Sequence, residues 1–525
     1  MTGGGEHSSG ALGARTPAPI EHHDVLIVGA GLSGIGAAYH LQSKCPTRSY
    51  AILEGREAIG GTWDLFRYPG IRSDSDMYTL GYAFRPWTDA KSIADGPSIL
   101  RYVRETAREN GIERHIRFRH HVRRASWSSE QGRWTVEAER GPEKERVLFT
   151  CDFLLMCSGY YNYAEGHRPE FPGEARFPGP IIHPQFWPET LDYENKRVVV
   201  IGSGATAVTL VPELARKAAH VTMLQRSPTY VMSRPAEDRF ANVLRRLLPA
   251  RLAYGLTRFK NVLVSMLTYW LMRGRPEWAK EFLVGLVREQ LGSEHDAAAH
   301  FTPSYKPWDQ RICLVPDADL FTALKQGRAS VVTDHIETFT EKGLLLRSGQ
   351  QLEADIVVSA TGLKLQVLSD IEFRVDGERA DLSKCMGYKG MMLSDLPNLA
   401  FAFGYANASW TLKVDLTCGY VCRLLNHMER EGYTACTPRR SPGIEERPFI
   451  DFASGYVQRA AHLLPKQGAK RPWRLYQNYA LDLLTLSLGP VDDGTLEFSR
   501  AATRTTAHLP GEDVPREVKG TREAA

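Results

Sequence analysis

The segment His23–Gly34, HDVLIVGAGLSG, decides how this chain folds. Its first half, His23–Val28, is a short apolar run of strand type, and its second half is a G-x-G-x-x-G turn. Ile35–Gln42 then reads as a helix, so the turn sits in the strand–turn–helix context that a dinucleotide-binding fold requires. Gly29 makes the tight turn, Gly31 lets backbone approach a pyrophosphate, and Gly34 allows helix and strand to pack closely. The helix start offers N–H groups and the positive end of its dipole to the phosphates. A second strand, Tyr50–Leu53, ends in Glu54, 25 positions after Gly29. A carboxylate there is placed to accept hydrogen bonds from a ribose diol.

The pattern recurs. Arg197–Ile201 (RVVVI) leads into Gly202-Ser203-Gly204-Ala205-Thr206-Ala207, with Ala207 in the third glycine's place. The following strand, Val221–Leu224, ends in Gln225-Arg226-Ser227, and Arg226 lies 24 positions after Gly202. One copy thus carries an acid where the other carries an arginine. A carboxylate repels a 2′-phosphate, whereas a guanidinium clamps it through charge-assisted bonds. The first site suits FAD and the second NADPH. A lone glycine turn is often just a tight connection, but two in context with complementary partners are poorly explained that way. Phe153–Gly159 and Asp355–Gly362 are apolar runs ending in a small residue and glycine, as expected of strands passing under a bound dinucleotide. The expected fold class is α/β: two Rossmann-like dinucleotide-binding domains, for FAD and NADP, with a helical insertion.

Between the turns, Phe177–Glu189 reads F-P-G-P-I-I-H-P-Q-F-W-P-E. The spacing Phe177-x-Gly179-x-x-x-His183-x-x-x-Trp187-Pro188-Glu189 resembles the signature of type I Baeyer–Villiger monooxygenases, and the resemblance runs from Asp24 to Phe498. It implies that FAD, NADPH and O2 form a C4a-peroxyflavin, which inserts one oxygen beside a ketone carbonyl to give an ester or lactone. It also assigns roles. Gly60-Gly61-Thr62-Trp63 and Tyr68-Pro69-Gly70-Ile71-Arg72-Ser73-Asp74 match stretches that lie against the flavin, and Asp74 matches an active-site aspartate. Capping of a turn or helix within Ser73–Ser75 is the plainer reading of Asp74. Arg311, in Trp308-Asp309-Gln310-Arg311, matches the family's catalytic arginine, whose charge favours the peroxyanion and the negative adduct that follows. Asp74 would hold it in place; without the resemblance, a surface ion pair would account for Arg311. Gln310 stands where many relatives have a lysine that shares the 2′-phosphate, which implies a weaker preference for NADPH over NADH.

Phe177, Gly179, His183, Trp187 and Pro188 are expected to couple NADPH binding to domain movement and to take no part in oxygen transfer. Asn407, Ser409 and Trp410 are expected near the flavin or substrate, with core packing an equal reading of Trp410. The stretches RYPGIRSDSDMYTL, CSGYYNY, GSGATAVTLVP and PWDQRICLVP resemble the mycobacterial branch that activates the thioamide prodrug ethionamide, which implies S-oxidation of sulfides or thioamides as well. The implied layout is an FAD domain from 20–165 and 370–500, and an NADP domain from 166–230 and 300–369. A helical insertion, 231–299, covers the active site in this layout. The tails 1–20 and 501–525, polar or rich in Gly, Ser and Pro, are expected to be disordered.

Composition narrows the rest. A chain of 525 residues with 24% charged side chains suits a soluble protein of two or three domains. A net charge of +4 is too weak and diffuse for nucleic acid. Eight cysteines are scattered without C-x-x-C or metal-ligand spacing, so the chain reads as reduced and cytoplasmic, and a disulfide reductase is disfavoured. Residues 1–20 lack the apolar core of a secretion leader. Asn261–Met272, NVLVSMLTYWLM, is too short for a span, which needs ~20 apolar residues. A buried helix is its first reading. Its flanks Arg258, Lys260, Arg273 and Arg275 also suit an interfacial helix, so weak peripheral membrane contact stays open. The expected partners are O2 and a small ketone or sulfur compound. A flavin-containing N-/S-monooxygenase is the nearest rival, and a nucleotide-binding, membrane-associated redox sensor a more distant one.

Overall fold

The computed structural model of this chain describes residues 20–292 and 296–500. The tails read above as disordered lie outside the described residues, apart from Ile20. The first strand runs Glu21–Val28, with Val25, Leu26 and Ile27 wholly buried. It pairs in parallel with Tyr50–Leu53 on one side and with Glu145–Met156 on the other. Strands covered on both faces need unbroken apolar runs, which is why VLIV and FLLM do not alternate. The helix Leu32–Lys44 makes the crossover and packs on the late helix Trp410–Glu431. Two later strands also join this sheet in parallel: Glu372–Val375 beside His120–Ser128, and Leu399–Phe401 beside the end of Glu145–Met156. The chain therefore returns to its first sheet after completing the second.

The second sheet is parallel throughout, in the order Ala329–Thr333, His220–Gln225, Arg197–Ile201, Ile356–Ser359, Ile181–Ile182. Its edge strand, Ile181–Ile182, comes from the middle of the Phe177–Glu189 segment, which is thus built into the fold. In each sheet the glycine turn is pressed against the residue just past a neighbouring strand. A Cβ on Gly29, at φ +103°, would meet the Cys157 carbonyl oxygen at 2.5 Å. On Gly202, at φ +135°, it would meet that of Ala360 at 2.4 Å. Only glycine tolerates both the conformation and the approach.

Between His220–Gln225 and Ala329–Thr333 of the second sheet the chain inserts a short strand, Val231–Arg234, and the helices Arg239–Leu247, Ala250–Gly274, Pro276–Leu291 and Ala297–Phe301. The long helix lays Tyr254, Thr257 and Arg258 inward. Arg258 Nη1 donates to the carbonyls of Tyr78 and Gly81 at 2.8 Å each, and its Nη2 pairs with Asp415 at 3.3 Å. The expectation of a buried helix over Asn261–Met272 is corrected: Val262 and Met272 are buried, but Leu263, Val264, Leu267 and Trp270 face outward uncovered. Among the described residues no helix is long and apolar enough to cross a membrane.

Candidate active site

The C-terminal ends of the parallel strands of both sheets open on one cleft of ≈ 1210 Å³, the place where such strands bind ligands. From the first sheet it is lined by Gly29, Gly31, Glu54, Thr62 and Trp63. From the second it is lined by Gly202, Gly204, Thr206, Arg226 and Ser227. Gly34 does not line it; a Cβ there would lie 1.9 Å from the Gly29 carbonyl oxygen, so its glycine serves the turn's own packing. No residue of the inserted helices lines the cleft, contrary to the expectation that they cover it. Their inner face instead supports the segment after Asp74, through Asn261 Nδ2 donating to Asp76 Oδ1 at 2.9 Å.

The residues fit two dinucleotides. Neither helix start, at Gly31 or Gly204, is capped by a side chain, and neither helix has an acid in its first turn. Backbone N–H groups are thereby left for phosphate. A Cβ on Gly204 would have no protein atom within 4 Å, and its φ of −79° suits any residue, so a ligand's close approach is what calls for glycine there. Glu54 accepts from the N–H of Ala30 at 2.7 Å and of Arg56 at 2.8 Å. Burial raises its pKa while those bonds oppose the shift. Each of its oxygens keeps a lone pair for a ribose hydroxyl. On the other side Arg226 and Arg459 both line the cleft, and neither has an ion-pair partner among the described residues. Burial and then Arg226 lower the pKa of Arg459, so the two cations stand near one another, as a 2′-phosphate site would ask.

Asp74 and Arg311, 237 positions apart, meet in this cleft: Arg311 Nη1 donates to Asp74 Oδ2 at 2.9 Å. Arg311 Nε donates to the Ala406 carbonyl at 3.2 Å. The capping reading of Asp74 does not describe its bonds, since Asp76 caps the helix Met77–Leu80 and Ser73 Oγ accepts from Ser75 N–H. Asp74 lies on a loop that bridges the two nucleotide folds. Arg67 pairs with Glu189 at 3.1 Å, Arg72 pairs with Asp319, and Gly70 packs on Glu213. The Asp74 carboxylate raises the pKa of Arg311 above its already high value, so the guanidinium stays charged.

None of Phe177, Gly179, His183, Trp187 and Pro188 lines the cleft. Phe177 is buried against Phe339, and a Cβ on Gly179 would lie 2.3 Å from the Asp355 carbonyl oxygen. Trp187 packs edge-on to Tyr193, and Pro188 accepts from Leu191 N–H. His183 Nδ1 accepts from Gln185 N–H at 3.2 Å, so Nε2 is the nitrogen that donates, to the Gly362 carbonyl at 3.0 Å. Of Asn407, Ser409 and Trp410, only Trp410 lines the cleft. Its Nε1 donates to Ser33 Oγ at 3.0 Å, and its ring stacks on Tyr160 with centroids 4.9 Å apart. Asn407 bonds Gln477, and Ser409 bonds Thr79. Reading the sequence missed Tyr160, Tyr161, Tyr456 and Arg459. The first two directly follow the Gly159 turn, which was a usable signal; the last two sit in the short helix Gly455–Ala460 and carry no motif.

Comparison with known proteins agrees with this arrangement. The family described as flavin-binding monooxygenase-like matches residues 88–386, and an NAD(P)-binding Rossmann-like domain matches residues 27–95. The chain is 55% identical over 482 residues to the FAD-containing monooxygenase EthA of Mycobacterium tuberculosis, covering 91% of this chain and 98% of that protein. It is 51% identical over 488 residues to the putative FAD-containing monooxygenase MymA of the same organism, covering 92% and 98%. A solved oxidized steroid monooxygenase bound to NADP shares the fold, with a TM-score of 0.74 at 21% identity, over 91% of this chain and 100% of that one. With two nucleotide cradles facing one cleft and this likeness along almost its whole length, the chain belongs to the flavin-binding monooxygenase-like family.

Proposed function

We propose that this flavin-dependent monooxygenase is of the Baeyer–Villiger type, converting ketones to esters or lactones with FAD and NADPH, and that it also S-oxidises sulfides or thioamides. The observation that carries the reading is the Arg311 guanidinium, pinned to Asp74 where the two nucleotide cradles share one cleft. FAD, when bound, would relay two electrons from NADPH to O2, one atom of which goes to the substrate and the other to water. Arg311 supplies a fixed positive charge, and its Nη2 has no hydrogen-bond partner among the described residues. It binds the substrate's carbonyl oxygen and stabilises the negative charge that develops there. Asp74 positions the guanidinium through Nη1. Trp410 and Tyr160 form an aromatic wall that excludes water and suits an apolar ketone or a soft sulfur atom. Glu54 and the Gly29 turn would hold FAD. The Gly202 turn, Arg226, Ser227 and Arg459 would hold NADPH, with Arg459 offsetting the missing lysine at Gln310.

The family's description names a flavin-binding monooxygenase and no ketone, which leaves room for a second reading, an N- or S-oxygenating enzyme without ketone chemistry. The test is to turn over FAD-loaded protein with NADPH, 18O2 and phenylacetone or 2-octanone, and to analyse products by mass spectrometry. An acetate ester carrying one 18O is expected. Oxygenated sulfide or amine with no ester from any ketone would replace the proposal by the second reading. NADPH consumed wholly to hydrogen peroxide would overturn both.

A further inference from the structure

A helix on the surface of a globular protein ordinarily turns a polar face to water. The helix Ala250–Gly274 does not. While Ala253, Tyr254, Thr257 and Val262 are buried on its inner side, Leu252, Leu256, Phe259, Leu263, Leu267 and Trp270 recur every three or four residues along the outer side. All six are exposed, Phe259 by 69% and Trp270 by 74%. The preceding helix adds Phe240, Val243 and Leu247 with the same spacing, also exposed. Tyr479 packs on the small cluster of Val262, Tyr405 and Leu412, and the chain just after it carries the exposed Leu483, Leu484 and Leu488. Single exposed apolar residues are ordinary, but a continuous strip over several helical turns marks a surface that something covers.

Charge says what covers it. From Arg239 to Arg275 the chain has eight lysines and arginines and no aspartate or glutamate. Lys260 pairs with Asp238, Arg273 with Asp309, and Arg258 turns inward to Asp415. Arg239, Arg246, Arg251 and Arg275 have no acidic partner among the described residues. A second copy of this chain, docked face to face about a two-fold axis, would set one basic rim against the other. Anionic lipid headgroups complement it. We propose that this face docks on an anionic lipid bilayer, with the long helix lying in the interfacial plane, its Leu, Phe and Trp side chains in the acyl boundary and its arginines among the headgroups. The same helix holds the segment after Asp74 through Arg258 and Asn261, so docking is linked to the active site by that segment, and an apolar substrate is concentrated in the lipid nearby.

The test is sedimentation of the full-length, FAD-loaded protein with extruded vesicles, either phosphatidylcholine alone or an equal mixture with phosphatidylglycerol, at low and high salt. The expected result is binding to the anionic vesicles, weakened by salt, and reduced tenfold or more in the double variant Phe259→Glu/Trp270→Glu. Both side chains are exposed, so the variant should keep its melting temperature and its NADPH oxidation in the absence of lipid. No binding to anionic vesicles, or equal binding by the variant, overturns the proposal. So does a dimer in sedimentation velocity that the variant dissolves, which would assign the face to a second copy. The ester assay above uses no lipid, so either reading fails without the other.

Discussion

Replacing Arg311 by glutamine removes a charge from the cleft and little else. In the folded protein Arg311 makes two polar contacts, with Asp74 at 2.9 Å and with the Ala406 carbonyl at 3.2 Å. The side chains of Arg311 and Asp74 are 39% and 33% exposed, so solvent reaches the pair through the cleft. A pair of that kind contributes about 0–1 kcal/mol, and the neutral-acceptor hydrogen bond about 1 kcal/mol. Arg311→Gln should therefore lose about 1–2 kcal/mol of stability and lower Tm by no more than about 4 °C. Removing a charged donor aimed at a developing oxyanion is a larger effect, ~10²–10³ in kcat. The assay pairs a thermal melt of the FAD-loaded variant with 18O-ester formation at saturating NADPH and ketone, and with NADPH oxidation in the absence of ketone. The expected pattern is near-normal melting and NADPH oxidation with ester formation down by that factor. Ester formation within about threefold of the parent would refute the role given to Arg311, because so small a change is under 1 kcal/mol of barrier. Loss of flavin with a much lower Tm would refute the structural half of the reasoning.

Three further outcomes follow from the same geometry. Gly204→Ala should melt like the parent, since its Cβ meets nothing, yet bind NADP+ at least tenfold more weakly by equilibrium dialysis; Gly29→Ala, driven against the Cys157 carbonyl at positive φ, should fail to fold or to hold flavin. Arg226→Gln and Arg459→Gln should each raise KM for NADPH by about 10–100-fold, the loss of one charge-assisted bond, and leave KM for NADH unchanged; an equal rise for both coenzymes would exclude the 2′-phosphate site. Burial holds the pKa of His183 below the ordinary histidine range. The unfolded chain then takes up that proton first, so this part of the stability is complete above about pH 6.5 and is lost as pH falls through the lower, folded value. His183→Gln should flatten the acid side of Tm against pH without abolishing it, because burial lowers His115, His121, His167 and His300 as well. An unchanged slope would count against the reading.

Local steric and solvation rules determined what the sequence alone could say. A strand covered on both faces must be apolar throughout, so VLIV and RVVVI were legible as core strands, and a chain at positive φ against a neighbouring carbonyl must be glycine, so Gly29 and Gly202 were legible as turns. The acid at Glu54 and the arginine at Arg226 were legible for the same reason, since each lies a set distance beyond its turn. Contacts that close through space were decided only by the tertiary structure. The pairing of Asp74 with Arg311 spans 237 positions, and the approach of Arg459 to the second cradle depends on the chain returning to its first sheet. Which side of Ala250–Gly274 meets water was likewise hidden, because periodicity records that apolar residues share a face but not whether anything packs on it. Burial is a property of the neighbours a side chain meets, and those neighbours come from distant parts of the chain.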